Sequence, residues 1–319
     1  MIIEYEIGFF GQMWPLNIIF MQQTISGEVI NLLNTFVVSC TQYTSKVKTS
    51  RCVLNNPQVT KALSSWVGTS EAIRLLSYSN SNSEKKVVNE WLAGLIDGDG
   101  TFILSKKGYA SLEITMEIRD EHCLTIIKNK YGGSIKLRSN ANALRYRLHH
   151  KAGLLSLIND VNGLIRNPNR MIQLNKICDH YGLIFIFPSK LTYDNGWLAG
   201  FFDSGGTISI NKTNTQLSIS ATQKTTQILE PLVELYGGSI YIDRGKYESF
   251  KWYVTKRETI LNIIEYFKKY PSRSGKKSRL HLIPKYYELK DLKANTAPEN
   301  SLLYRSWKIF YDKWSKFEE

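Results

Sequence analysis

The chain has 319 residues, 43% of them hydrophobic, which excludes a largely disordered protein and allows one large core or two moderate ones. The formal net charge of +13 favours a polyanionic partner, most often nucleic acid, with a solvated basic surface as the alternative. The four cysteines form no CxxC pair and the five histidines add no ligand spacing, which argues against a structural zinc site.

The N-terminal part, residues 1–86, is interpreted as an extension that is partly structured and lies outside the repeats described below. Its most apolar stretch, residues 15–40, is interrupted by polar side chains, so no membrane span is expected. The first residues include glutamates rather than a basic leader, which argues against a secretory signal or an import presequence. The serine- and asparagine-rich residues 79–83 predict a polar linker.

Two landmarks recur along the chain at nearly the same spacing. The motif WLAGLIDGDGT, starting at Trp91, recurs as WLAGFFDSGGT from Trp197, and YGGSI from Tyr131 recurs from Tyr236. The two offsets are 106 and 105 residues, so the landmarks share one register. Because the repeating unit has the size of a domain, the pattern predicts two similar halves about a pseudo-twofold axis, residues 87–190 and 191–319.

Hydrophobic periodicity predicts the elements of the first repeat in chain order. A helix runs through the WLAG motif, and strands then alternate with a period of two. A helix that ends at a glycine pair separates two pairs of strands, and two further helices close the unit. After the motif helix, the predicted elements are strands at 101–106 and 112–118, a helix at 122–131, strands at 135–137 and 144–148, and helices at 154–161 and 171–181.

The second repeat shows the same order, with alternating strands at residues 217–221 and 250–254. A short segment around residues 188–195 joins the two halves. Each unit is therefore αββαββα, an α+β fold in which an antiparallel sheet carries helices on one face.

The tail, residues 301–317, has an amphipathic helical pattern. Apolar residues recur at helical spacing: Leu303, Trp307, Phe310 and Trp314. Basic residues lie between them: Arg305, Lys308, Lys313 and Lys316. The pattern predicts a helix docked on the second repeat, and a nucleic-acid contact is the alternative.

The open face of each predicted sheet carries basic, hydroxyl, amide and aromatic groups, which are the groups that reach phosphates and base edges. In the first repeat they are Ser105, Lys107, Lys136, Arg138, Arg145 and Arg147. In the second they are Ser209, Asn211, Ser218, Ser220, Tyr241, Lys251 and Tyr253. Two curved sheets side by side would follow a long nucleic-acid site, and an ordinary solvated face is the alternative.

The small residues of the two motifs let two helices approach closely, so we expect a helix pair on the symmetry axis. The interface residues are Ala93, Gly94, Ala199 and Gly200. Asp99 lies at the end of the first motif helix, where the helix dipole disfavours a carboxylate. A divalent cation would relieve that cost, and oxygen ligands of this kind suit Mg²⁺, which can assist phosphodiester hydrolysis.

WLAGLIDGDG and WLAGFFDSGG resemble the two signature helices of the LAGLIDADG family of homing endonucleases and intron maturases, over roughly residues 87–290. The resemblance implies a monomer with saddle-shaped sheets that binds double-stranded DNA at an intron insertion site. It implies phosphodiester hydrolysis with Mg²⁺ and a mitochondrial intron as the source, with a chloroplast as the alternative. Some members of the family instead assist splicing of their own group I intron RNA.

By the same resemblance, the metal-binding acid of the first motif falls on Asp99. The equivalent position of the second motif is Gly205, and an alignment shifted by one residue gives Ser204. With one acid missing, we expect weak cleavage, nicking of one strand, or none.

The family also places basic residues near the scissile phosphates, late in each repeat. The resemblance assigns this role to Lys276 or Lys277 in the second half and to Arg166 or Arg170 in the first. The leading hypothesis is therefore a DNA endonuclease with a weakened second site. An RNA maturase without catalytic activity is the alternative, and a decayed reading frame without a role is the third.

Overall fold

The computed structural model describes residues 2–5, 16–19, 69–139, 141–244 and 248–316, with side chains from residue 83 onward. The chain divides into compact units of residues 1–72 and 73–319. In the first unit, the strands β1 (Ile2–Tyr5) and β2 (Leu16–Ile19) pair antiparallel. The other residues of the predicted N-terminal extension up to residue 68 lie outside the described part of the chain.

A helix of 31 residues, α1 (Thr69–Asp99), leads into the first repeat and contains the first motif. The passage of this helix through WLAG to Asp99 was predicted and is confirmed. The prediction of a polar linker at residues 79–83 is wrong, because these residues lie within α1. Serine and asparagine cost less than about 0.7 kcal/mol each in a helix, and helix propagation from flanking turns overcomes such a cost.

The first repeat contains a four-stranded antiparallel sheet in the order β3-β4-β6-β5. Its elements are β3 (Gly100–Leu104), β4 (Ala110–Glu117), a 3-10 turn (Ile118–Asp120), α2 (Glu121–Tyr131), β5 (Ser134–Leu137), β6 (Ala143–Leu148), α3 (Lys151–Val161) and α4 (Pro168–Tyr181). Strand β3 ends before the predicted residue 106, because Gly108, at φ 81°, closes a turn by donating its N–H to the Ser105 carbonyl.

The second repeat has the matching sheet, in the order β7-β8-β10-β9. Its elements are α5 (Trp197–Gly205), β7 (Gly206–Ile210), β8 (Leu217–Gln223), α6 (Glu230–Tyr236), β9 (Ser239–Arg244), β10 (Glu248–Val254), α7 (Arg257–Lys269) and α8 (Lys276–Asp291). The predicted α+β fold of two αββαββα repeats is confirmed.

The tail forms α9 (Leu302–Ser315), whose first turn is capped because the Ser301 hydroxyl accepts from the Tyr304 N–H at 3.1 Å. Trp307, Phe310 and Trp314 are buried, and α9 packs against α8. The predicted docked amphipathic helix is confirmed.

The buried apolar residues form one cluster that includes residues of both repeats. In β4, Leu112 and Ile114 point into this cluster while the alternate residues remain partly exposed. The first sheet therefore packs one face against the apolar cluster and leaves the other partly exposed, which positions the candidate site. Among the described residues, no helix has the length and apolar character needed to cross a bilayer.

Candidate functional site

The two motif helices, α1 and α5, pack backbone against backbone. A Cβ atom at Gly94 would lie 2.0 Å from the Trp197 carbonyl oxygen, and one at Gly200 would lie 1.7 Å from the Trp91 carbonyl oxygen. Only glycine permits such an approach, so these positions form the interface between the helices. The adjoining small residues are also buried: Ala93 and Ala199.

Each motif also supplies a hydrogen bond to the other. The Trp91 indole Nε1 donates to Asp203 at 2.8 Å, and the Trp197 indole Nε1 donates to Asp97 at 2.7 Å. Both carboxylates are almost fully buried, with exposed fractions of 0% for Asp97 and 1% for Asp203. We call this pair of hydrogen bonds the reciprocal latch.

Each latch carboxylate also accepts hydrogen bonds from backbone N–H groups. These groups lie in the loop before α4 in the first repeat and in the loop before α8 in the second. Asp97 accepts from the N–H groups of Arg166 at 2.7 Å and Asn167 at 3.0 Å. Burial raises the pKa of Asp97 to about 7, against the opposing effect of these N–H donors and the Trp197 indole. Asp203 likewise accepts from the Arg273 N–H at 2.8 Å. Both carboxylates therefore have structural partners that stabilise the pairing of the repeats.

Asp99 differs from Asp97 because its carboxylate is exposed at the C-terminal end of α1. Within the described part of the chain, this carboxylate makes no hydrogen bond and no ion pair. Desolvation by the surrounding protein raises the pKa of Asp99 to about 6, and the charges of Lys276 and Arg170 act in the opposite direction. The arrangement leaves a carboxylate without a hydrogen-bond or ion-pair partner among the described residues where the helix dipole is unfavourable, which makes the position suitable for a cation.

The end of the second motif helix has a different chemistry. The Lys276 ammonium donates to the carbonyl oxygens of Phe202 at 3.0 Å, Asp203 at 2.6 Å and Ser204 at 3.0 Å. An ammonium group here satisfies terminal carbonyls and complements the helix dipole. Burial lowers the pKa of Lys276. The carbonyl oxygens at the end of α5 are thus already bound by the Lys276 ammonium group.

Ser204 and Gly205 occupy the position that corresponds to the end of the first motif. The Ser204 hydroxyl donates to the Phe201 carbonyl at 2.7 Å, and its side chain lies against Gly98. A Cβ atom at Gly205 would lie 3.5 Å from the Thr222 carbonyl oxygen, which is an ordinary contact. The site therefore has room for a larger residue at Gly205.

The four candidate basic residues have different positions. Lys276 contacts the end of α5, whereas Lys277 is exposed. Arg170 precedes Lys276 by the repeat offset of 106 residues and is close enough to Asp99 for their charges to interact. The Arg166 guanidinium donates to the Ser189 carbonyl at 2.7 Å, in the segment that joins the repeats. Arg170 and Lys276 are thus the pair that the structure brings to the motif helix ends.

A metal ion would have to share its ligands with a bound substrate. The described residues contain no group of three or more histidine, cysteine, aspartate or glutamate side chains that could hold a metal. Mg²⁺ commonly binds through one or two carboxylates while retaining water and contacting substrate phosphates. Asp99 fits this mode, because its carboxylate is exposed and has no protein partner among the described residues.

The open sheet face of the first repeat forms a cleft of about 740 Å³. Five predicted nucleic-acid-binding residues line it: Ser105, Lys136, Arg138, Arg145 and Arg147. Lys107 is exposed in the turn between β3 and β4 and does not line the cleft. Glu113 pairs with Arg147 and lies 3.6 Å from the Arg145 Nε atom, so it neutralises part of the charge of this face.

Two predicted residues of the second sheet are not on an open surface. Ser218 and Ser220 are only 4% and 2% exposed, because β8 lies between β7 and β10 and neighbouring side chains cover it. The Ser218 hydroxyl is 2.9 Å from that of Ser209. The prediction that the hydroxyls of Ser218 and Ser220 face a ligand is therefore wrong for this conformation.

The other predicted residues of the second sheet remain accessible at least in part. Tyr241 is 57% exposed and makes an edge-to-face contact with Tyr253, and the Lys251 ammonium lies 6.0 Å from the Tyr253 ring centre. Asn211 lies in the turn after β7, where its side chain accepts from the Thr213 N–H at 2.8 Å. The second face is therefore more aromatic and less basic than the first.

A cavity of about 420 Å³ adjoins the end of the second motif helix and contains residues that sequence analysis did not assign to a site. Besides Gly205 and Lys276, its lining includes Glu117, Arg119, Arg279 and Lys316. The offset of 106 residues could have paired Glu117 with Gln223 at the ends of β4 and β8. No repeat relation could have indicated Lys316, since it lies beyond the part of the second half that the family profile matches, which ends at residue 287.

Comparisons with known proteins agree with this architecture. A sequence profile described as LAGLIDADG endonuclease matches residues 92–181 and 198–287. "Intron-encoded RNA maturase bI4" of Saccharomyces cerevisiae is 48% identical over 232 residues, which cover 71% of this chain and 36% of that protein. "Intron-encoded DNA endonuclease ai2b" of Dictyostelium discoideum is 40% identical over 234 residues, covering 70% of this chain and 88% of that protein. The chain thus spans little more than a third of the yeast relative's length.

Solved structures show the same fold. The crystal structure of the I-LtrWI LAGLIDADG homing endonuclease bound to target DNA aligns with a TM-score of 0.54 and 18% identity. The alignment covers 73% of this chain and 98% of that one. The two segments matched by the sequence profile fall in the two structural repeats and include the ends of both motif helices, from Leu92 and from Leu198. This chain therefore belongs to the LAGLIDADG endonuclease family.

Proposed function

We propose that this protein is an intron-encoded endonuclease that binds a long double-stranded DNA site and hydrolyses phosphodiester bonds with Mg²⁺. The observation that carries the proposal is the Asp99 carboxylate, which has no hydrogen-bond or ion-pair partner among the described residues and lies at the end of a buried motif helix. The relative named as a DNA endonuclease, at 40% identity, supports the same activity.

In this proposal, Asp99 would hold a Mg²⁺ ion, which when bound would supply an activated water and charge stabilisation at the phosphate. Arg170 and Lys276, near the motif helix ends, add positive charge where negative charge develops during hydrolysis. The basic cleft of the first repeat would neutralise phosphates and so position the duplex. Side chains on the floor of this cleft would contact the edges of the nucleotide bases.

The two cleavage positions are chemically unequal. Asp99 supplies an anionic ligand at one position, whereas Gly205 supplies none at the other and the Lys276 ammonium contacts the helix end there. We therefore infer that the protein cuts one strand much faster than the other. A protein acting as a monomer would produce this asymmetry, since each repeat contacts one half of the site. A mitochondrial or other organellar intron is the inferred source.

A second function has a specific observation in its favour. The relative with 48% identity is named an RNA maturase, and the missing acid at Gly205 does not impair a role that needs no hydrolysis. In that case, the basic faces would bind the structured group I intron RNA.

The deciding experiment incubates the purified chain and Mg²⁺ with a duplex that spans the intron-free junction of the host gene, labelled on each strand separately. A nick in one strand supports the proposal with Asp99 as the surviving metal ligand. Intact DNA despite tight binding would reject the endonuclease and lead to a splicing assay on the intron RNA.

Introducing the missing acid should restore cutting of the second strand. We expect Gly205→Asp to raise the rate of second-strand cleavage by about tenfold or more, because a metal ion would gain an anionic ligand. The substitution is sterically allowed, since a Cβ atom there makes only ordinary contacts. Gly205→Asn is the matched control, with nearly the same size and no charge. Equal rates for both variants would argue against a second metal position beside Lys276.

Nicking should depend on the protonation of Asp99. Because the pKa of Asp99 is raised to about 6, the ionised form that binds a cation is lost as the pH falls below that value. At subsaturating Mg²⁺ we expect the nicking rate to fall about tenfold for each further pH unit and to level off above the pKa. The measurement is a pH–rate profile, with DNA binding in Ca²⁺ at each pH as the control. A flat profile through this range would assign the metal ligand elsewhere.

A further inference from the structure

The C-terminal helix α9 lies outside both segments that match the family profile, the second of which ends at residue 287. It is held in place by Trp307, Phe310 and Trp314, which are all less than 8% exposed. The rings of Trp307 and Phe310 lie 6.2 and 6.3 Å from that of Tyr286 in α8. The helix is thus a fixed part of the second repeat's surface.

The opposite side of α9 is basic. At 3.6 residues per turn, its basic residues fall on the side away from the buried aromatic rings. They are Arg305, Lys308, Lys313 and Lys316, all exposed. Within the described residues their side chains make no ion pair, and Asp312 is the one acidic residue of the helix. This basic face of α9 therefore has cations available for a partner.

The basic face of α9 leads to the candidate site. Lys316 lines the cavity of about 420 Å³ that also contains Gly205 and Lys276. The Arg279 guanidinium lies 5.4 Å from the Trp314 ring centre and donates to the Ile208 carbonyl at 2.9 Å. Arg279 thus connects the last turn of α9 with β7, the strand that follows the second motif helix. Lys316 thus brings the end of α9 to the same cavity as Lys276 of the candidate site.

We propose that the basic face of α9 binds the phosphate backbone of the DNA next to the cleavage position of the second repeat. The inference rests on the proposed function and adds a binding element outside the segments that match the family profile. Its basis is charge complementarity, with four cations and one acid in residues 302–316, and the position of Lys316 at the cavity beside the second motif helix. Phosphate contacts carry no sequence information, so α9 would add affinity without adding specificity.

The test compares two double variants of the full chain. K313Q/K316Q removes two cations from the last turn of α9 and its end. K128Q/K176Q removes two exposed cations from α2 and α4, helices on the covered side of the first sheet, and serves as the matched control. Binding of a fluorescent DNA duplex of arbitrary sequence is measured by anisotropy over a range of KCl concentrations, with thermal melting to verify folding.

For K313Q/K316Q we expect affinity to fall by about tenfold at low salt and the salt slope to decrease by about 1.8, or about 0.9 for each lost phosphate contact. The control variant should match the wild type in both. Equal binding by the two variants would overturn the role of α9 and leave the proposed function intact. A wild-type chain that does not bind DNA would overturn the proposed function as well. A loss seen with duplex RNA but not with DNA would overturn the choice of DNA as the partner.

Discussion

Replacing Asp99 by asparagine is expected to abolish DNA cleavage while leaving DNA binding within about twofold of wild type. The side chain keeps its size but loses the charge that attracts a cation, and a neutral amide is a poor ligand for Mg²⁺. Binding should be retained because the proposed phosphate contacts of the first sheet face, such as Arg145 and Arg147, do not depend on the metal. Strand-resolved cleavage and anisotropy measurements on the same preparation test both parts.

The same variant should be more stable than the wild type when no metal is present. Because the folded-state pKa of Asp99 is raised above its unfolded value, ionisation of this group lowers the free energy of unfolding as the pH rises toward about 6, and the loss persists above it. Asparagine removes that cost. The melting temperature of the Asp99→Asn variant, measured at neutral pH with a chelator present, should therefore exceed that of the wild-type protein. Asp179→Asn, at an exposed position on α4, is the control. Residual cleavage in Asp99→Asn would show that another group binds the catalytic ion.

The second large effect is expected at the contact between the motif helices. Gly200→Ala should lower the free energy of unfolding by about 3 kcal/mol, because the added methyl group would lie 1.7 Å from the Trp91 carbonyl oxygen. A backbone atom cannot move aside as a flexible side chain can, so the two helices must separate. Separation also strains the reciprocal latch, whose donors and acceptors lie on opposite helices. Chemical denaturation followed by tryptophan fluorescence measures the loss.

Gly205→Ala provides the comparison for this experiment. It is the same substitution in the same helix, but its Cβ atom would lie 3.5 Å from the nearest neighbour. We expect its stability to lie within about 1 kcal/mol of wild type, with a gain from the better helix propensity of alanine. If Gly200→Ala proved as stable as Gly205→Ala, the close packing of α1 against α5 would be wrong.

The architecture could be predicted because its signals are local. Alternation with a period of two identified β4 and β6, and the duplicated motif identified both central helices. The sequence pattern gave a wrong prediction where residues distant in the chain determine whether a side chain is buried. Ser218 alternates with apolar residues as an exposed strand residue would, but the adjacent strands and their side chains bury it.

The chemistry of the candidate site was harder to predict than its location. The motif located Asp99 and the departure at Gly205, since both depend on position in a repeated sequence. The contact of the Lys276 ammonium with three carbonyl oxygens at the end of α5 could not be predicted, because it depends on how α8 enters the site. The latch role of Asp97 likewise depends on an indole 100 residues away in the chain.

The reciprocal latch gives the two repeats equivalent contacts with each other, although they differ at Asp99 and Gly205. Trp91 serves Asp203 and Trp197 serves Asp97, so each repeat presents the same donor and the same acceptor to its neighbour. Two copies of either repeat would close the same pair of bonds, as in a symmetric homodimer. The chain thus pairs its two repeats as a symmetric dimer pairs its subunits, through residues distinct from Asp99 and Gly205, the positions at which the two halves differ in charge.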